Sequence, residues 1–264
     1  MIEIKNINGE VIYTHEGKTL AGANLKGAKL YGADLYHVKL TRAKLIRADL
    51  GDADLSGSNL VGADLSGADL SGANLEGANL EGANLKGANL EGANLKGAKL
   101  SGSDLKNAEL TDAELFGANL KNANLTDADL SHADLRRANL ETADLRRANL
   151  TDADLEIADL RRANLTAADL SHAKLTGAYL NDANFTRTNF YDADLTDANL
   201  EGADLTDAIL TRANLGDAHL RRANLKGAKV SLASFTDADL TDANLEGVDL
   251  TDANLDGAKI ERSV

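Results

Sequence analysis

The sequence predicts an all-β solenoid on three observations. A strict period of five residues runs through almost the whole chain. Apolar and small residues hold fixed places within that period. Large rings are nearly missing: hydrophobic residues make up 43% of the 264 residues but aromatics only 3%, so the core has to be thin and built from Leu and Ala. Every fifth position reads Leu20, Leu25, Leu30 and onward to Leu255 and Ile260, giving 49 consecutive pentads. The departures, Phe185, Phe190, Val230, Phe235 and Ile260, are all apolar. Two residues before each stands Ala, from Ala23 to Ala258, replaced only by Val38, Ser58, Ser103, Thr188 and Val248.

A period of five fits neither regular element. On an α-helix each step of five overshoots a full turn by about 140°, so the Leu would wander round the cylinder. On a flat strand the odd step would send successive Leu to opposite faces. One shared core requires the chain to bend once in every pentad. A bend near 90° closes a coil of four pentads, and the period alone would also permit three or five sides. Gly two places after Leu, as at Gly72 and Gly77, suits a tight corner. Asp, Arg, His and Ile also occupy that place, which reads as a corner with no need of a positive φ.

The motif Ala-(Asp/Asn)-Leu-X-X, as in Ala73-Asn74-Leu75-Glu76-Gly77 and Ala153-Asp154-Leu155-Glu156-Ile157, resembles the pentapeptide-repeat proteins over residues 20–260. The resemblance implies a right-handed quadrilateral parallel β-helix of about 12 coils of 20 residues, with Leu and Ala pointing inward. At about 4.8 Å per coil such a rod is roughly 58 Å long. Residues 20 apart would then stack, Asn59 over Asn79 and Asn119 over Asn139, and Asn ladders can hydrogen-bond along the axis.

Residues 1–19 lie outside the repeat. Ile2 and Ile4 alternate with polar residues, Asn8-Gly9 is a two-residue turn signal, and Val11 and Tyr13 alternate again, which predicts a β-hairpin capping the first coil. The repeat domain spans 20–260 and a short tail, 261–264, follows. That tail offers no helix or hairpin to cover the last coil, and only the charges of Lys259 and Arg262 to blunt its edge. An end-to-end homodimer through the uncapped C-terminal coil is the alternative expectation, since some members of the family dimerise at that end.

The absence of Cys excludes disulfides and thiolate metal sites. No signal peptide or membrane span is seen, so the expected location is cytoplasmic. A net charge of −14 disfavours direct nucleic-acid binding. No phosphate-binding loop, nucleophile elbow or His-Glu-x-x-His motif is present, and no cofactor is expected. Stacking by 20 brings His132, Asp152 and His172 into one outward column, a conceivable but solvated metal site, and sets Asp134 beside Asp154 with nothing to desolvate them. Four Arg pairs, Arg136-Arg137, Arg146-Arg147, Arg161-Arg162 and Arg221-Arg222, read as balancing the neighbouring acids.

Two functions remain. The first is a non-catalytic interaction scaffold for an unknown protein partner, with outward Tyr179 and Tyr191 as the candidate hot spot. The second is an acidic DNA mimic that binds DNA gyrase or another DNA-binding protein, an activity the resemblance brings with it. Residues 181–264 carry 16 acids and 8 bases, and Asp197, Asp217 and Asp237 form the most DNA-like column. Fourteen net charges over roughly 58 Å give one per about 4 Å, against one per about 1.7 Å of duplex, which weakens the mimic.

Overall fold

In a computed structural model, which describes residues 1–261, the chain forms two compact units, Met1–Asp134 and Leu135–Val264. Arg262 and the rest of the tail lie outside the described residues.

The first unit opens with an antiparallel hairpin of β1 (Ile2–Lys5) and β2 (Val11–His15). Its connection is not a two-residue turn. Five residues, 6–10, join the strands, and a bulge separates Ile4 from Lys5. The Asn6 carboxamide organises this loop: its Oδ1 accepts the N–H groups of Asn8 and Glu10, both at 3.0 Å. Gly9 supplies the left-handed corner at φ 81°. Asn8-Gly9 marked the place of the turn, but the side-chain bonds of Asn6 set its length. Ile4 is buried, and the Lys5 carbonyl accepts the Asp34 N–H at 2.7 Å, so the hairpin pairs with the start of the repeat.

The repeats of both units are built alike. Parallel bridges link residues 20 apart, as Asn74 with Asn94 in the first unit and Asp204 with Asn224 in the second. One pentad shows where the amides go. Ala73 N–H bonds the Leu70 carbonyl, Asn74 N–H that of Ala53, Leu75 N–H that of Asn94, and Gly77 N–H that of Lys96. The remaining donor, Glu76 N–H, is taken by Asn74 Oδ1 at 3.2 Å. This explains the Asp/Asn of the motif: a short side-chain acceptor satisfies the one amide the coils cannot reach. In the second unit Asp204 does the same for Thr206 N–H and also accepts its hydroxyl, at 3.0 and 2.5 Å.

The inward Leu and Ala are almost wholly buried until the last described residues. Phe185 and Phe190 pack edge to face, 5.2 Å between centroids, so they are core. Thr188 and Ser103 stand in Ala places and bond their hydroxyls to carbonyls, each at 2.7 Å. Ser58 Oγ is buried with no partner among the described residues.

The corner differs from the sequence expectation. Gly77 has φ 63°, but so do residues of every other type there: His37 at 54°, Arg162 at 58°, Ile157 at 59° and Leu232 at 60°. Every corner from Gly22 to Gly247 takes a positive φ whatever its side chain. Each pentad closes through an Ala N–H to Leu carbonyl bond across it, with a left-handed third residue as in a type II turn. Ladder bonds on both sides hold non-Gly residues in a conformation they resist.

Candidate interaction surface

Inward residues are committed to packing, so chemistry has to come from the three outward places of each pentad. The corner residue is the most exposed of the three, and its column repeats every 20 residues.

In the second unit the column holding Asp152, His172, Asp192 and Arg212 makes a compact cluster. Asp192 receives His172 Nδ1 at 3.4 Å on one oxygen and Arg212 Nε at 3.2 Å on the other. Tyr191 lies between them: the His172 ring meets it edge-on at 5.6 Å, and the Arg212 guanidinium sits 5.8 Å from its centroid. The bond to Asp192 pushes the Arg212 guanidinium further above its already high range. No group of three His, Cys, Asp or Glu side chains suited to a metal ion exists among the described residues. His172 and Asp192 lie against each other as a pair; His132 belongs to the first unit.

Tyr179 does not join this cluster. It is 49% exposed and pairs through its backbone with Asp159 and Asn199, in a different column from Tyr191. Asp197, Asp217 and Asp237 do share one column, each exposed and each at a left-handed corner, φ 56–58°. The predicted pair Asp134 and Asp154 falls in different units. Asp134 bridges Glu114, while Asp154 pairs with Lys174 and has Arg136 Nε at 3.8 Å.

The Arg pairs are engaged as the sequence suggested. Arg146 grips Asp144, and Arg161 grips Asp159, each through two bonds at 2.8 and 2.6 Å. Arg162 pairs with Glu141 and Arg222 with Glu201. Stacking by 20 could not find these, because the partners are 2 or 21 residues apart. Ladder bonds do run along the coils: Asn94 donates to Asn74 at 3.2 Å and Asn244 to Asn224 at 2.9 Å. Asn59 pairs with Asn79 through backbone alone in its column, its Oδ1 accepting from Val61 N–H and Thr41 Oγ1. No helix among the described residues is long and apolar enough to cross a membrane.

The protein family described as Pentapeptide repeats matches in successive stretches from residue 19 to residue 264. Among solved structures, HetL from the cyanobacterium Nostoc sp. strain PCC 7120, a pentapeptide repeat protein involved in heterocyst differentiation regulation, is 39% identical. The match covers 88% of this chain and 91% of HetL, with a TM-score of 0.59. QnrB1, a plasmid-mediated fluoroquinolone resistance protein, is 22% identical over 73% of this chain and 89% of its own, with a TM-score of 0.51, a likeness of fold alone. Comparison with curated protein sequences gave no match.

Proposed function

As the chain belongs to the pentapeptide repeat family, whose members form right-handed β-helices, we propose that it is a non-catalytic scaffold that presents corner and side columns to a protein partner. The same reading takes each pentad as one side of a four-sided coil, about 12 coils in all, with residues 1–19 as cap. On four sides Leu180 and Phe190, two pentads apart, are opposite, so Tyr179 and Tyr191 cannot serve one patch.

The observation that carries the reading is the Tyr191 cluster. An aromatic ring held between His172 and Arg212 loses little freedom on binding, which is what an interface anchor needs. A photo-crosslinking residue at 191, with one at 179 as comparison, tests it in living source cells. The expected result is a discrete adduct from 191 that Arg212→Ala weakens. Adducts from 179 but not 191 would contradict it.

A second reading rests on the exposed column of Asp197, Asp217 and Asp237: an acidic mimic that engages DNA gyrase or another DNA-binding protein. A supercoiling assay separates the two. Inhibition lost on converting all three to Lys supports the mimic; no effect at saturating protein removes it.

A further inference from the structure

Several bases of this protein face a carboxylate. Lys86 meets Asp104 at 2.9 Å, Lys96 meets Glu114 at 2.5 Å, and Lys226 meets Glu246 at 2.8 Å, besides the Arg pairs above. The start of the repeat carries the densest group of bases that make no such pair. Residues 21–50 carry six bases and two acids, a net of +4 in a chain of −14. Lys26, Lys29, Lys39, Arg42, Lys44 and Arg47 are all exposed, and none makes an ion pair among the described residues. Lys26, Arg47 and Lys86 rim a groove of about 440 Å³ beside Ile46, floored by the bare corners of Gly67 and Gly87.

The opposite imbalance lies in residues 231–261, with eight acids and one base, a net of −7. Asp237, Asp252 and Asp256 are exposed there. Both regions also show large apolar side chains. Tyr31 is 61% exposed and Tyr36 58% in the basic region, and Leu232 is 64% exposed and Ile260 47% in the acidic one. Apolar anchors inside a charged rim are the anatomy of a protein interface.

We propose that the basic first coils of one copy dock onto the acidic last coils of a second copy. The charges are complementary between the two regions, whereas joining two acidic ends would set −7 against −7. The contact is thus between unlike surfaces, not the C-terminal end against itself. It rests on the interaction-scaffold reading and names one partner of that scaffold, this chain itself.

Sedimentation of the full chain tests it at two ionic strengths. At about 0.1 M salt, where charges further apart than about 10 Å are screened, the mass should rise with concentration above the 27.7 kDa of one chain. At about 1 M salt it should return to the monomer. One variant carries Lys26→Glu, Lys39→Glu and Lys44→Glu; the other carries Asp237→Lys, Asp252→Lys and Asp256→Lys. Each alone should stay monomeric, and an equal mixture should associate again, which also shows that both are folded. A monomeric wild type at every concentration overturns the proposal, as does association that either variant retains by itself. Either result leaves the Tyr191 reading standing, because no residue of that cluster is changed.

Discussion

Each unit has a core of Leu and Ala, and the two differ at their corners. Among the left-handed repeat corners of the described residues, the first unit has 14 that are Gly and 9 that are not; the second has 5 that are Gly and 19 that are not. The backbone is nonetheless the same, with φ 63° at Gly77 and 59° at Ile157. A left-handed non-Gly residue costs about 1–2 kcal/mol, less for Asp. The second unit therefore accepts strain at its corners and gains side chains there, mostly Asp and Arg, which make its surface. The first unit keeps more of its corners bare, as in the groove over Gly67 and Gly87. The ladder sets the backbone, and the corner residue is left free to be the surface.

The largest expected effect is common to both units. Leu120→Asp in the first and Leu200→Asp in the second should each abolish folding of their surroundings, at several kcal/mol, since a buried carboxylate would have no partner. Chemical denaturation with hydrogen exchange measures this. Loss confined to neighbouring coils would fit nearest-neighbour stability, and equal effects would show that the two units have cores of the same kind.

The corners should respond with opposite signs. Gly77→Val should destabilise by about 1–2 kcal/mol, as a β-branched residue enters a left-handed corner. Ile157→Gly should stabilise by up to about 1 kcal/mol, because relief of the corner outweighs the added chain entropy. If both changes destabilise, the strain assigned to the second unit is absent.

Ser58→Ala should stabilise by about 1 kcal/mol, removing a buried hydroxyl without a partner, while Ser103→Ala, which breaks a bond to the Leu100 carbonyl, should not. Thermal melting of the two variants decides it.

The smallest effect is on pH dependence. The Thr241 hydroxyl lowers the Asp239 carboxyl below its ordinary value, and Thr251 does the same for Asp249. A depressed carboxyl stabilises above its unfolded value and loses that contribution as pH falls through the folded one. Melting temperature should therefore drop below about pH 4, and Thr241→Val should flatten the drop.

Much of this was legible in the sequence. The period of five, read with the motif, located the buried Leu and Ala, because inward places tolerate so few residue types. The hairpin was legible from alternation, but its loop was not, since Asn6 acts through side-chain bonds that alternation does not carry. The corner was misread because residue preference is local evidence, and at Ile157 and Leu232 the ladder overrides it. Arg212 stands 20 residues from Asp192, within one column, while Arg162 reaches Glu141 across columns, which stacking by 20 does not carry. Tyr191 was legible as outward, but its neighbours were not, and Tyr179 shares only its residue type.

The most direct test of a backbone-set corner is the φ of Ile157 and Leu232 in solution, from chemical shifts and residual dipolar couplings. The account predicts positive φ at both, matching Gly77 and Gly177. Negative φ at either would contradict it, and with it the view that the corner side chains are free to form the binding surface.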